Sequence, residues 1–279
     1  MDNQDYIFDG CNMTELAAKY GTPLYVMSET AILERCREIK KDFLDKYPNT
    51  RAVFASKAFQ TLEICRMVTQ EGLGLDTVSG GEIYTAFKAD VPMENLYFHG
   101  NNKTLDEIKM AVDYKVGRIV VDNKYELEAL IDYAKQKNTR VKILFRITPG
   151  VDSHTHRFIS TGQLDSKFGI PLDKRVTTDF IKEALEMQNI ELMGFHFHVG
   201  SQLAVNDSHL AALTVAVNLI RDLKEALGYE AKELNIGGGM GIHYVKDDKP
   251  ARVGEFLDPI MAELYERCEK YGLLVPQVT

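Results

Sequence analysis

Three short stretches of this chain carry side chains that could bind and use one cofactor. His196 and His198 lie two residues apart in GFHFHVGSQL. Residues i and i+2 of a strand point to the same face, so both imidazoles would project from one strand end. Lys57 follows an apolar run in VFASKAF, and Gly237–Gly239 form the triplet of LNIGGGMG. A lysine amine, a flat imidazole and a glycine-rich anion loop are what an aldehyde cofactor with a phosphate group requires.

Each of these signals also has a purely structural interpretation. His196 and His198 could be satisfied core histidines, Lys57 could be a solvated lysine, and the glycines could form a tight turn. The stretch GGGMG is not a Rossmann fingerprint, because its spacing differs and no acidic ribose reader follows it. Asp76 and Arg146 could form a buried ion pair beside the cofactor or a structural pair between neighbouring strands. The motifs taken singly leave these alternatives open.

Strand and helix patterns alternate along most of the chain. Seven short apolar runs predict strands: Arg51–Ala55, Leu75–Val78, Leu96–Phe98, Arg118–Val121, Val141–Ile147, Leu192–His198 and Glu233–Ile236. The sequences Ser79-Gly-Gly-Glu82 and Thr104-Leu-Asp-Glu107 predict capping boxes at two helix starts. Seven strand–helix units predict an α/β fold with a parallel sheet, and this length favours a (β/α)8 barrel over a doubly wound sheet. The eighth strand should begin near Val275, so we expect it to be incomplete at Thr279.

The candidate residues share one position relative to the predicted strands. Each falls at or just beyond the C-terminal end of a strand: Lys57, Asp76 to Ser79, His99 to Asn102, Arg146, His198 to Ser201, and Gly237 to Gly239. Active sites of α/β barrels are built on that face. A Ser201 hydroxyl there could donate a hydrogen bond to phosphate. This common placement predicts one site more strongly than any single motif does.

Two segments lie outside the regular alternation. Residues 1–24 are predicted to form an N-terminal arm, and residues 25–279 the barrel. The stretch Thr148–Pro171 has no regular periodicity and carries several polar groups: His154, His156, Arg157, Thr161, Asp165 and Lys167. Long loops in compact domains are usually functional or disordered. We expect this loop to be ordered and to lie over the mouth of the barrel, with a surface excursion as the alternative.

Composition narrows the classes of partner. With 33 basic and 41 acidic residues, the net charge is −8, which makes nucleic acids and anionic membranes poor partners. The four cysteines form no CxxC pair, which argues against a zinc or disulfide framework and suits a reducing compartment. The N-terminus has no apolar signal region, and no apolar run is long enough to span a membrane. We expect a cytoplasmic protein that binds no metal and acts on a small molecule.

Several motifs together resemble one enzyme family. VFASKAF, LDTVSGGE, FHGNNK, RITPGVDSHTHRFISTGQLDSKFG, GFHFHVGSQ and LNIGGGMG occur in the order found in diaminopimelate decarboxylases, which are fold-type III pyridoxal-phosphate enzymes. The resemblance runs from Leu24 to Thr279. It implies pyridoxal 5'-phosphate as cofactor, with Lys57 as the Schiff-base lysine and His198 stacked on the pyridine ring. Ser201 and Gly237–Gly239 would hold the phosphate. From their positions at strand ends, and not from the resemblance, Asp76 and Arg146 are also expected to bind the cofactor.

The resemblance further implies decarboxylation of meso-2,6-diaminopimelate to L-lysine and CO2 by a homodimer. The chain departs from the family in lacking a Glu-Pro-Gly-Arg tetrapeptide on the eighth strand and a C-terminal β-domain. We therefore expect a fragment that has little activity alone. The alternatives are a decarboxylase of another basic amino acid, a non-catalytic single-barrel cofactor-binding protein, and a structural or interaction module. The HGNNK and HTH…DSKFG stretches argue against the first, and the long histidine-rich loop against the second.

Overall fold

Eight parallel strands form the centre of the molecule. The computed structural model describes residues 6–151 and 167–279. We label the strands of its main sheet in chain order as β1 Val53–Ala55, β2 Gly74–Thr77, β3 Leu96–Phe98, β4 Arg118–Val121, β5 Val141–Thr148, β6 Ile190–His196, β7 Glu233–Asn235 and β8 Gln277–Val278. Each strand pairs in parallel with the next one along the chain. The predicted strands overlap the first seven, and the α/β class is confirmed.

A helix follows each strand except the last. These helices are α1 Leu62–Gln70, α2 Gly80–Lys88, α3 Leu105–Asp113, α4 Lys124–Gln136, α5 Lys174–Glu186, α6 Asp207–Leu227 and α7 Val253–Tyr271. The predicted capping box of α3 forms: Thr104 Oγ1 accepts from the Glu107 N–H at 3.2 Å, and Glu107 Oε2 accepts from the Thr104 N–H at 2.9 Å. Of the two hydrogen bonds of the capping box predicted at Ser79, only the one from the Glu82 N–H to Ser79 Oγ forms. Its Glu82 carboxylate accepts from the Val78 N–H at 2.6 Å instead.

The end of the chain joins the two edges of the sheet. Val278 pairs with Leu234 of β7 and makes a parallel bridge to Thr50, in the segment that leads into β1. The Arg51 N–H donates to the Val278 carbonyl at 2.7 Å. The expectation that the eighth strand is incomplete is confirmed: two residues of this strand are formed, and they join β7 to the segment that precedes β1.

The barrel interior is filled below its C-terminal end. Tyr97, Val120, Leu144 and Met193 form a small buried cluster of their own, separate from the large core between sheet and helices. At the N-terminal end of the strands, Arg118 Nε donates to Glu233 Oε2 at 2.7 Å, and a second guanidinium nitrogen contacts the other carboxylate oxygen. This buried ion pair joins β4 to β7. The candidate site residues lie at the opposite, C-terminal end of the strands.

The remaining elements are short. Before β1, Ile7–Phe8 pairs with Cys11–Asn12, and two helices follow, Met13–Tyr20 and Glu29–Ile39, the second continued by a π-helical turn. Ile170–Pro171 pairs with the end of β5. Helix Met13–Tyr20 buries no residue. Within the described ranges, no helix is long and apolar enough to cross a membrane.

Candidate active site

Lys57 lies on a one-turn 3-10 helix, Ser56–Ala58, that starts where β1 ends. Its side chain is exposed at the mouth of the barrel, while the neighbouring Ser56 is 2% exposed and its Oγ has no hydrogen-bond partner among the described residues. Burial raises the pKa values of Asp76 and Glu82 and lowers that of His198; the positive charge of Lys57 opposes the first two effects and adds to the third. The amine therefore lies close enough to influence ionisable groups that follow or end two other strands, namely Asp76 and His198.

Asp76, on β2, pairs with an imidazole from the next strand. Its Oδ1 lies 3.2 Å from Nε2 of His99, which directly follows β3. Burial raises the pKa of Asp76 to about 7, and the nearby Lys57 opposes this only in part. The His99 ring meets the ring of His196, the last residue of β6, edge to face at 4.5 Å. Burial lowers the pKa of both imidazoles well below the usual value, so this pair is uncharged at neutral pH.

His198 and His196 do not stand side by side on one strand. β6 ends at His196, two residues before the predicted end, and His198 lies in the connection that follows. His196 is buried in the barrel, whereas His198 is partly exposed beside the glycine loop. Burial, followed by the charges of Arg146 and Lys57, lowers the pKa of His198 to about 4. Its ring is therefore a neutral, flat surface at the barrel mouth.

Arg146, near the end of β5, does not pair with Asp76. Its Nε lies 3.8 Å from Oδ1 of Asp122, the residue after β4, and its guanidinium lies 4.1 Å from the centre of the Phe168 ring. β2 and β5 are separated by two strands, so a pair between neighbouring strands is also excluded. Asp76 still acts on Arg146 at longer range, opposing the burial that lowers the arginine pKa. Arg146 remains part of the same cluster, with a different partner.

The glycine triplet after β7 forms a loop with free N–H groups. Asn235 Oδ1 accepts from the Gly237 N–H at 2.8 Å. Beyond the triplet, the Leu203 N–H donates to the Gly239 carbonyl, and the Gly241 N–H donates to the Leu203 carbonyl. Within the described part of the chain, the N–H groups of Gly238 and Gly239 donate to no acceptor. A Cβ on Gly239 would lie 2.0 Å from the Gly200 carbonyl oxygen, and its φ is +104°. Only glycine fits there.

This loop fits a phosphate group. A Cβ built on Gly238 would meet nothing within 4 Å, so the space in front of the loop is open. Ser201 is exposed next to the loop, with its Cα 3.4 Å from where a Gly239 Cβ would be. Two free N–H groups and an adjacent hydroxyl are a typical arrangement for binding an anion. His198 borders the same space, since its Nδ1 lies 3.1 Å from a Cβ placed on Gly237.

A second buried polar group was missed by the sequence analysis. Lys103 Nζ lies 2.7 Å from Glu126 Oε1 and donates to the carbonyls of Gly100 and Val120 at 2.8 and 2.7 Å. Glu126 Oε2 also accepts from the Asp122 N–H at 3.0 Å. Asp122 follows the fourth strand, and the rule that located the other site residues would have found it. Lys103 and Glu126 gave no signal, because a lysine after a strand and a glutamate on a helix are usually exposed.

The segment that returns from the long loop reaches the same face. Lys167 accepts at its carbonyl from Asn101 Nδ2 at 3.1 Å, and the Gly169 N–H donates to Asp122 Oδ2 at 2.9 Å. The polar residues between them and β5, at positions 154, 156, 157, 161 and 165, lie outside the described residues. In the described ranges, no group of three or more histidine, cysteine or acidic side chains could hold a metal ion.

Comparison with known proteins identifies the family of this chain. The family described as "Pyridoxal-dependent decarboxylase, pyridoxal binding domain" matches residues 29–277. Diaminopimelate decarboxylases of Bacillus subtilis and Halalkalibacterium halodurans are 40% and 41% identical to this chain over 269 residues, which are 96% of the chain and 61% of each relative. The crystal structure of the M. jannaschii diaminopimelate decarboxylase superposes with a TM-score of 0.90 at 33% identity, covering 100% of this chain and 64% of that one.

The chain therefore spans about three fifths of the length of the relatives it matches. The family match covers most of its residues, and the glycine loop, the strand-end side chains and all of the sheet except Val278 lie within the matched range. The cofactor of this family is a pyridoxal group, and the open loop with its free N–H groups fits the phosphate of pyridoxal 5'-phosphate. This chain belongs to the pyridoxal-dependent decarboxylases and contains their pyridoxal-binding domain.

Proposed function

We propose that this chain is the cofactor-binding barrel of a decarboxylase that converts meso-2,6-diaminopimelate to L-lysine and CO2. The observation that carries this proposal is the glycine loop, which lies with Lys57 and His198 at one end of the barrel. The relatives that cover 96% of the chain are diaminopimelate decarboxylases. A related M. jannaschii structure, 34% identical, is described as a co-complex with L-lysine. L-lysine is the product that such a reaction would release.

The site residues divide the binding of pyridoxal phosphate among them. Gly237–Gly239 and Ser201 would hold its phosphate, and Lys57 would supply the amine that meets its aldehyde. His198 is uncharged because its pKa is about 4, so its flat ring can lie against the pyridine ring without placing a cation there. Bound in this way, the cofactor supplies an electron sink for the pair of electrons left when CO2 departs.

Asp76 and Arg146 bring an acidic and a basic side chain to the same site. The Asp76 carboxyl, with its pKa near 7, can hold or release a proton in the neutral range. Arg146 is held by Asp122 and Phe168 and stays cationic next to two neutral imidazoles. We propose that these two side chains orient the cofactor and an amino-acid substrate. Carboxylates of the substrate are the natural partners of this guanidinium.

The role of Lys57 is tested by trapping. Pyridoxal phosphate is added, the mixture is reduced with borohydride, and the labelled peptide is mapped by mass spectrometry. We expect the label on Lys57, and its loss in Lys57→Ala. Lys88→Ala, which removes an exposed lysine on α2, serves as the matched control and should keep the label. A label confined to another lysine, such as Lys167, would refute the assignment.

The substrate is tested by CO2 release with added cofactor. The panel contains meso-diaminopimelate, L-lysine, L-ornithine and L-arginine, assayed on this chain and on its full reading frame if that extends past Thr279. We expect release from meso-diaminopimelate alone, with little activity in the 279-residue chain by itself. Release from ornithine or arginine would favour a decarboxylase of another basic amino acid. Cofactor binding with no release from any substrate by either protein would favour a non-catalytic barrel.

We further propose the domain organisation and setting of the protein. Residues 25–279 form the barrel, and residues 1–24 an arm, which is supported by the absence of buried residues in helix Met13–Tyr20. Assembly as a homodimer is proposed from the family resemblance, and sedimentation of the purified protein tests it. All four cysteines are free thiols, three of them buried, which supports a reducing cytoplasmic setting.

A further inference from the structure

Arg146 is a nearly buried cation with few partners. Its side chain is 12% exposed, and the described residues offer it one ion pair, with an Asp122 side chain that is 4% exposed. The 3.8 Å from Arg146 Nε to Asp122 Oδ1 is longer than a hydrogen bond. A guanidinium has five N–H groups, and within the described ranges those of Arg146 donate to no acceptor at hydrogen-bond distance. Nearly buried donors without acceptors cost free energy, so this arrangement indicates a ligand with anionic oxygens.

The ring of Phe168 covers one face of this guanidinium. The distance from Arg146 Cζ to the ring centre is 4.1 Å, the shortest cation–ring distance within the described part of the chain. A flat guanidinium stacked on an aromatic ring keeps the N–H groups at its edges available for hydrogen bonds. The ring therefore restrains the plane of the group and Asp122 attracts one of its edges, while neither accepts a hydrogen bond from it.

The segment that carries Phe168 is itself fixed against β5. The Thr148 hydroxyl donates to the Phe168 carbonyl at 2.6 Å, and the short strand that follows pairs with the end of β5. The Gly169 N–H donates to Asp122 Oδ2 at 2.9 Å. Gly169 has a φ of +78°, and a Cβ there would lie 2.8 Å from Thr148 Oγ1 and 3.3 Å from Arg146 Cγ. Only glycine lets the chain turn this close to the arginine side chain.

We propose that Phe168 and Asp122 are positioning residues for Arg146, which hold its guanidinium in place to bind an anionic oxygen of the cofactor or of the amino acid. The inference rests on the proposed function, because it takes the ligands of the site from there. One source of such oxygens is the carboxylate of L-lysine, which decarboxylation of meso-diaminopimelate leaves in place. The other source is pyridoxal 5'-phosphate. Phe168 and Asp122 themselves are assigned no contact with either ligand.

This role has a consequence that a purely structural role lacks. A long side chain that is ordered only on binding loses rotamer freedom, which reduces the affinity for the ligand. A guanidinium already held by a ring and a carboxylate avoids most of that loss. The contribution of Phe168 and Asp122 to ligand binding should therefore depend on Arg146 and disappear when the guanidinium is removed.

Two measurements separate the two sources of the anionic oxygen. Calorimetry gives the dissociation constant of pyridoxal 5'-phosphate, and the absorbance of the bound cofactor reports the binding of L-lysine and of cadaverine, which differ only in the carboxylate. Both are applied to this chain and to its full reading frame if that extends past Thr279. Arg146→Met should weaken binding of the cofactor or of L-lysine about 10- to 100-fold. A loss for L-lysine and not for cadaverine assigns the guanidinium to the amino-acid carboxylate, and a loss for the cofactor assigns it to the cofactor.

A double-mutant cycle tests the positioning role. Phe168→Leu and Asp122→Asn should each weaken binding of that ligand about 3- to 10-fold in the wild-type background and have no effect on it in Arg146→Met. Phe168→Tyr keeps an aromatic face and should retain the wild-type affinity. Phe87→Leu is the matched control, because it removes an exposed ring of α2 that stacks on Tyr114 at 4.4 Å, and it should leave the affinity unchanged.

Two outcomes would overturn this inference alone. Effects of Phe168→Leu and Asp122→Asn that are equally large with and without Arg146 would show that these residues act through the fold and not through the guanidinium. An Arg146→Met protein that binds every ligand as the wild type does would be equally decisive. If Phe168→Leu does not fold, Asp122→Asn completes the cycle. A wild type that binds neither pyridoxal 5'-phosphate nor L-lysine would overturn the proposed function as well.

Discussion

Replacing Asp76 by asparagine should make the protein more stable at alkaline pH. The carboxyl group lies at the end of β2 against His99, and burial raises its pKa to about 7. The folded state therefore disfavours the charged form. Asparagine has nearly the same shape and carries no charge. A buried charge kept at the expense of stability is typical of functional sites.

The magnitude follows from the two pKa values. An unfolded chain releases the Asp76 proton near pH 3.9. Below that pH, both states are protonated and the variant gains nothing. Between about pH 4 and pH 7 the unfolded state ionises while the folded state keeps its proton, so the wild type loses stability, and above pH 7 the loss is complete. The full difference corresponds to about 4 kcal/mol, which partial solvent exposure of the side chain reduces to about 2 kcal/mol.

Urea unfolding of the cofactor-free proteins at pH 5, 6.5 and 8 measures this effect. The stability advantage of Asp76→Asn should grow from below about 1 kcal/mol at pH 5 to about 2 kcal/mol at pH 8. Asp258→Asn is the control, because hydrogen bonds from Lys46 and Tyr47 lower the Asp258 pKa, and this variant should be less stable than the wild type throughout that range. An Asp76→Asn protein that is less stable at pH 8, or an advantage independent of pH, would refute the reasoning.

Two further predictions concern the glycine loop and the buried lysine. Gly239→Ala places a Cβ 2.0 Å from the Gly200 carbonyl oxygen at a φ of +104°, and should cost about 3 kcal/mol or more in urea unfolding. Gly238→Ala meets open space and should cost less than about 1 kcal/mol, and equal effects of the two substitutions would contradict the assigned contacts. Lys103→Met leaves Glu126 unpaired at a site where both side chains are almost fully buried, and should cost about 3–5 kcal/mol. Adding Glu126→Met should recover most of that loss, and a strictly additive double variant would show that the pair is not coupled.

The sequence predicted the fold well because strand position depends on local pattern. Runs such as Arg118–Val121 are buried along their whole length, and such runs stand out between amphipathic helices. Boundaries were less predictable. β6 ends at His196, two residues before the predicted end, because an apolar run does not show where backbone pairing stops. β8 forms with only two residues because they find backbone partners at both edges of the sheet: β7 on one side and Thr50 on the other.

The sequence predicted where the site residues lie better than it predicted which of their side chains pair with each other. Strand ends located Lys57, Asp76, Arg146 and the glycines, since parallel strands bring all their C-terminal ends to one face. The suggested pair of Asp76 with Arg146 was wrong, because β2 and β5 are two strands apart and each side chain has a closer partner on a neighbouring strand.

One buried network explains how separate loops can form a single rigid site. Lys103 binds the carbonyls of Gly100 and Val120, and so ties the end of β3 to the end of β4. Its partner Glu126 holds the backbone of Asp122, whose carboxylate then accepts from the Gly169 N–H and faces Arg146. Every charge in this series has an opposite charge or a hydrogen bond within reach, which is the condition for burying charges without a large penalty. The position of Arg146 is therefore set in part by Asp122, which the Lys103–Glu126 pair in turn supports. A substitution in this network should displace the site even where it leaves each site residue unchanged.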